Sequence, residues 1–152
     1  MNTRSVRAAE PSPGSRLALA ALPGSVRTAR RHVRELLRRW ALPHLADTAE
    51  LVVSELSTNA VRATGLATDS PDYGELSGGL PAICVGLHLA GGYAVIEVWD
   101  ASDRPPHRTD AGLDDEGGRG LLLVETCAAQ WGYRPQVTGG KVVWAKLSVT
   151  PC

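Results

Sequence analysis

Glu55 and Asn59 stand four residues apart in the stretch 52–65, VVSELSTNAVRATG. Val52, Val53, Leu56, Ala60 and Val61 recur there at three- and four-residue steps, the period of an amphipathic helix. On such a helix residues four apart lie one above the other, so a carboxylate and a carboxamide share one face. Both sit among Leu, Val and Ala, where an unpartnered polar side chain is costly. A magnesium ion with a phosphorylated ligand would satisfy them. Mg²⁺ takes oxygen ligands in octahedral geometry and keeps several waters, so one carboxamide oxygen plus phosphate oxygens can hold it. Asn59 offers that oxygen, and Glu55, one turn earlier, can take the proton of a hydroxyl attacking a terminal phosphate.

Two further sites carry potential chemistry. Asp100 ends the very apolar run VIEVWD, where a strand would hold a carboxylate at the open edge of a sheet and a purine amino group would be a natural donor to it. Gly118-Arg119-Gly120 precedes the apolar run 121–129; glycines let backbone N–H groups approach an anion, the following helix dipole favours it, and Arg119 adds a fork of donors. Other chemistries find no support. There is no phosphate-binding P-loop and no dinucleotide fingerprint, and His32, His44, His88 and His107 are scattered. Cys84, Cys127 and Cys152 are an odd three with no metal or disulfide spacing; Cys84 and Cys127 read as small core residues and Cys152 as a tail thiol, in a cytoplasmic protein.

The elements that must position these residues follow from pattern. At 152 residues and 43% hydrophobic content the chain has material for one domain and one core. No apolar run reaches the roughly 18 residues of a membrane span. Net charge is zero but uneven: residues 1–40 carry nine arginines against Glu10 and Glu35, and the remainder is acidic. No aromatic residues interleave those arginines as a nucleic-acid groove would require, so no direct nucleic-acid contact is expected. Residues 1–15 are Pro-, Ser- and Arg-rich and read as a disordered tail, leaving 16–150 as the domain.

Within it, 16–22 reads as a strand ended by Pro23-Gly24, and 25–42 as a helix broken by Pro43. The central helix opens with Asp47 and Glu50 in capping-box spacing and closes at Thr64-Gly65. Residues 67–81 are a turn-rich loop, and 82–89 and 93–100 are strands joined by Ala90-Gly91-Gly92. Residues 101–117 lack periodicity, a length that is usually functional in a compact domain. A helix over 121–129 and strands over 131–137 and 142–149, joined by Gly139-Gly140, complete the chain. The order β, α, α, β, β, loop, α, β, β predicts an α+β two-layer α/β sandwich with a mostly antiparallel sheet and helices on one face.

In this order and spacing the three sites resemble the GHKL (histidine-kinase-like) ATPase superfamily, and within it the anti-sigma-factor serine-protein kinases of the RsbW/SpoIIAB type. LVVSELSTNAVRATG looks like their N box, VIEVWDASDRPP their G1 box, and GGRGLLLVETCAAQWGYRPQVTGGKVVWAKL their G2 box with the last two strands. The similarity runs over about residues 25–147. It implies a Bergerat ATP-binding fold with ATP and Mg²⁺ as cofactors. Asn59 would chelate Mg²⁺, Glu55 would be the catalytic base, and Asp100 would recognise the adenine amino group. Gly118, Arg119 and Gly120 would border the triphosphate beneath a 101–117 lid, with Arg62, Ser102 and Leu121 completing the nucleotide site. The implied partners are a STAS-domain antagonist phosphorylated on serine, a sigma factor and a second copy of the chain.

The chain departs from the family pattern in four places. Ser102 and Arg104 stand at glycine positions of the G1 box, Ala63 replaces a frequent His, and Val142 replaces a Thr that bonds near adenine. These losses leave room for a second expectation, a non-catalytic nucleotide-holding or contact-only module in the same pathway. A third is a DNA-binding regulator working through the Arg-rich helix, whose affinity would fall steeply with salt.

Overall fold

The computed structural model describes residues 14–64, 81–106 and 116–150, and all structural statements concern these. Five strands form one sheet in the order β1-β2-β3-β5-β4, every neighbouring pair antiparallel. The strands are β1 (Gly14–Ala20), β2 (Ala82–Ala90), β3 (Tyr93–Asp100), β4 (Gln130–Pro135) and β5 (Lys141–Ser148). Three helices, α1 (Ser25–Arg39), α2 (Ala46–Thr64) and α3 (Glu116–Cys127), pack on one face, and a 3-10 turn at Pro43–Leu45 links the first two. This is the expected α+β two-layer sandwich.

Period-two alternation builds the sheet's inner face. Ile83, Val85 and Leu87 of β2, Ala94, Ile96 and Val98 of β3, and Val143, Ala145 and Leu147 of β5 all lie in the core beneath the helices. Against them α1 turns Ala29, Val33 and Leu37, and α2 turns Val52, Val53, Leu56 and Ala60. The 3.6-residue period read from sequence is therefore the stripe that the core uses. Gly91 and Gly92, at φ +56° and +83°, give the β2–β3 hairpin the left-handed pair that a two-residue turn requires.

Several boundaries differ from expectation, each for a local reason. β1 spans Gly14–Ala20 rather than 16–22, because the Leu22 N–H turns back to the Ala20 carbonyl while Ala21 N–H reaches Pro81. α1 stops at Arg39, not 42, because Ala41 takes φ +57° and the Leu42 N–H returns to the Leu37 carbonyl. Pro43 then opens a 3-10 turn instead of merely breaking a helix. Asp47 and Glu50 do not make a capping box: both bind the Arg34 guanidinium of α1, the Asp47 contact at 2.6 Å. α3 covers Glu116–Cys127 rather than 121–129, β4 ends at Pro135, and β5 begins one residue early, at Lys141. The 1–13 part of the expected tail, residues 67–80 of the expected 67–81 loop and residues 107–115 of the expected lid lie outside the described residues.

Of the two cysteines expected in the core, Cys127 packs against it and Cys84 does not. Cys84 is half-buried on the sheet face away from the helices, and Cys127 is half-buried at the end of α3. Three histidines acquire partners that spacing could not show. His32 meets the Ser15 hydroxyl at 3.1 Å, His44 the Val149 carbonyl at 2.9 Å, and His88 the Glu97 carboxylate at 3.2 Å. Among the described residues, no helix is long and apolar enough to cross a membrane, and no cluster of His, Cys, Asp and Glu could hold a metal.

Candidate functional site

Helix direction brings the sequence-predicted residues to one end of the sheet. His44, just before α2, bonds Val149, whose N–H bonds Gly92, so α2 starts at the β2–β3 hairpin end. Nineteen residues of helix run about 28 Å and eight of strand about 26 Å. The C-terminal half of α2, with Glu55, Asn59 and Arg62, therefore reaches the end where β3 finishes at Asp100 and β5 begins at Lys141. α3 runs the opposite way: Ala129, just past its C-terminus, bonds the Lys146 carbonyl, which puts its Gly118-Arg119-Gly120 turn toward Lys141.

Glu55 and Asn59 are both half-buried on α2, one turn apart. Arg62 is exposed, whereas the Leu121 side chain is 1% exposed and packs in the core. A correction concerns the glycines. Gly118, Arg119 and Gly120 lie inside the first turns of α3 rather than in a loop before it, because the helix starts at Glu116. Their N–H groups sit near the helix start, where the first four lack intrahelical acceptors.

The segment after β3 turns without glycine at Ser102 and Arg104. The Ser102 N–H donates to Asp100 Oδ1 at 2.9 Å and the Arg104 N–H to the Ser102 hydroxyl at 3.2 Å. These are successive Asx- and Ser-type turns, and they do locally what glycine does through conformational freedom. The facing hairpin closes on this segment. Gly140 N–H donates to Asp103 Oδ1 at 3.0 Å, and Trp99 Nε1–H to the Gly139 carbonyl at 3.1 Å. A Cβ on Gly140 would fall 2.1 Å from the Asp100 carbonyl oxygen, so the approach is open only to glycine.

Asp100 itself is the residue whose surroundings sequence reading missed. Register places it directly across from Lys141, and Lys141 Nζ donates to Asp100 Oδ1 at 2.9 Å. Asp100 is 1% and Lys141 2% exposed, a buried ion pair at the sheet's end. A signal was available: Lys141 is in phase with Val143, Ala145 and Leu147, so alternation points it inward. Burial pushes the Asp100 carboxyl above its ordinary value, against the opposing pull of Lys141 and the Ser102 N–H.

A carbon-detected NMR titration should therefore place the Asp100 midpoint above 3.8. The folded carboxyl keeps its proton to higher pH than the unfolded one. Its contribution to stability thus falls as pH rises from 3.8 through the folded midpoint, then levels off. A midpoint below 3.8 would show that the ion pair, not desolvation, sets this carboxyl.

The donor set divides when tested against a nucleotide. The Glu55–Asn59 face offers oxygen ligands of the kind that a phosphate-bound magnesium ion accepts. Asp100 is a buried acceptor as a base amine would need, but its Oδ1 already takes two donors. Compared with known proteins, the chain matches the family model of the histidine kinase-like ATPase domain over residues 19–147. It matches no curated protein.

Proposed function

The chain belongs to the histidine kinase-like ATPase domain family, an ATP-binding module, and from that premise we propose that it is a Mg²⁺-dependent protein-serine kinase of the anti-sigma-factor type. Its substrate would be a serine on a STAS-domain antagonist, and its other state would hold a sigma factor, as a homodimer in the cytoplasm. One observation supports the catalytic reading. Glu55 and Asn59 sit one turn apart on α2 and at the same sheet end as Asp100.

ATP supplies the phosphoryl group that is transferred, and Mg²⁺ screens its charge. Asn59 would hold the metal through its carboxamide oxygen. Glu55 would accept the proton of the serine hydroxyl as its oxygen attacks, which needs a carboxylate within hydrogen-bond reach of that hydroxyl.

Calorimetric titration of MgATP into wild type and Asn59→Ala tests the premise. Wild-type binding that Asn59→Ala abolishes supports the nucleotide site on which the kinase depends. A second reading, a module acting by contact alone, is favoured by the occupied Asp100 carboxylate. It predicts partner affinity and partner phosphorylation that saturating ATP leaves unchanged.

A further inference from the structure

Asp100 and Lys141 close a corner that every neighbouring contact tightens. Oδ1 of Asp100 takes the Lys141 ammonium and the Ser102 N–H, both at 2.9 Å. Gly140, one residue before Lys141, is fixed by the Asp103 carboxylate and has no room for a side chain against the Asp100 backbone. Lys141 therefore enters β5 from an anchored position, with its ammonium directed along the inner face to Asp100.

The chain's other lysine, Lys146, shows the contrast. It lies on the outer face, its Nζ 5.8 Å from the Tyr93 ring centroid and 5.6 Å from that of Trp144. Only Lys141 is buried with a carboxylate. A buried ion pair is often no more stabilising than an apolar pair of the same volume, so stability alone is a poor account of it. What the pair does change is the carboxylate: it is neutralised, and its better-bonded oxygen is filled by a charge-assisted hydrogen bond.

We propose that Lys141 is an affinity-determining residue of the nucleotide site, a tethered ammonium that caps Asp100 and that the base of an incoming nucleotide must displace. This rests on the nucleotide reading above and adds a regulator to it. Asp100 is 1% exposed, so an exocyclic amine reaches it only when what covers it moves. Of the two donors on Asp100 Oδ1, the Lys141 ammonium comes on a long side-chain stem with several rotatable bonds, whereas the Ser102 N–H is backbone. A nucleotide thus binds against the cost of breaking the pair, and the empty state is held closed by the protein itself.

The test is MgATP calorimetry at pH 8 on wild type, Lys141→Met, Lys141→Thr, Lys141→Arg and Asn59→Ala, each checked for folding by thermal melting. Lys141→Met and Lys141→Thr should bind at least tenfold tighter than wild type, and Lys141→Arg should stay near it. If both neutral variants bind no tighter, while Asn59→Ala still abolishes wild-type binding, the site is real and Lys141 does not cap it. If neither wild type nor any Lys141 variant binds, the nucleotide reading falls and the cap with it.

Should the neutral variants fail to fold, the native chain supplies a second measurement. With two lysines, the ammonium signals are readily assigned by ¹⁵N NMR. The Lys141 ammonium should be protected from exchange in the free protein and lose that protection under saturating MgATP. Protection that persists with MgATP bound overturns the proposal.

Discussion

Under the proposed kinase reading, replacing Glu55 with glutamine is expected to slow transfer of the γ-phosphoryl group to the substrate serine by roughly a hundred- to ten-thousand-fold, with MgATP affinity changed less than about threefold. Glutamine keeps the side chain's length and one hydrogen-bonding oxygen, so the half-buried position on α2 stays filled. What it loses is the ability to take a proton. If Glu55 only positions ligand, affinity and rate should fall together; if it is the base, the rate alone falls. Single-turnover transfer of radiolabel from ATP, run beside calorimetry, separates the two. Transfer by Glu55→Gln within about threefold of wild type removes Glu55 from the catalytic role.

That prediction rests on a helix whose face could be read before any coordinates. The apolar steps from Val52 to Val61 fix which side of α2 enters the core, and Glu55 and Asn59 follow on its flank. The sheet was equally legible, because strands covered on one face alternate, as Ile83, Val85 and Leu87 do. The errors lie where one segment answers to another. Asp47 and Glu50 have capping-box spacing, yet Arg34, sixteen residues before Glu50, competes for both carboxylates and wins. The start of α3 lies earlier than propensity suggests: Gly118 and Gly120 weaken a helix, but packing such as that of Leu121 and Val124 readily overrides propensity. Ser102 looked like a loss against a glycine pattern, but side-chain hydrogen bonds turn the backbone by another route.

The Asp100–Lys141 pair shows how far alternation reaches and where it stops. Phase alone places Lys141 inside; only the β3–β5 register, which joins residues 41 apart, names its partner. The physical consequence is a double-mutant cycle with an unequal outcome. Asp100→Leu should lower unfolding free energy by about 3–5 kcal/mol, since it leaves the Lys141 ammonium buried without its carboxylate. For a domain of this size that is a melting-point loss of about 10 °C. Asp100→Leu combined with Lys141→Met should recover most of the loss, ending within about 1 kcal/mol of wild type, the residue being the Ser102 N–H that loses its acceptor. Urea denaturation of the four proteins gives the coupling directly. If the double variant is as unstable as the sum of the singles, the two side chains act independently and no buried pair links β3 to β5. If it recovers, the pair is a dispensable element of the fold, which leaves control of access to Asp100 as the role in which Lys141 matters.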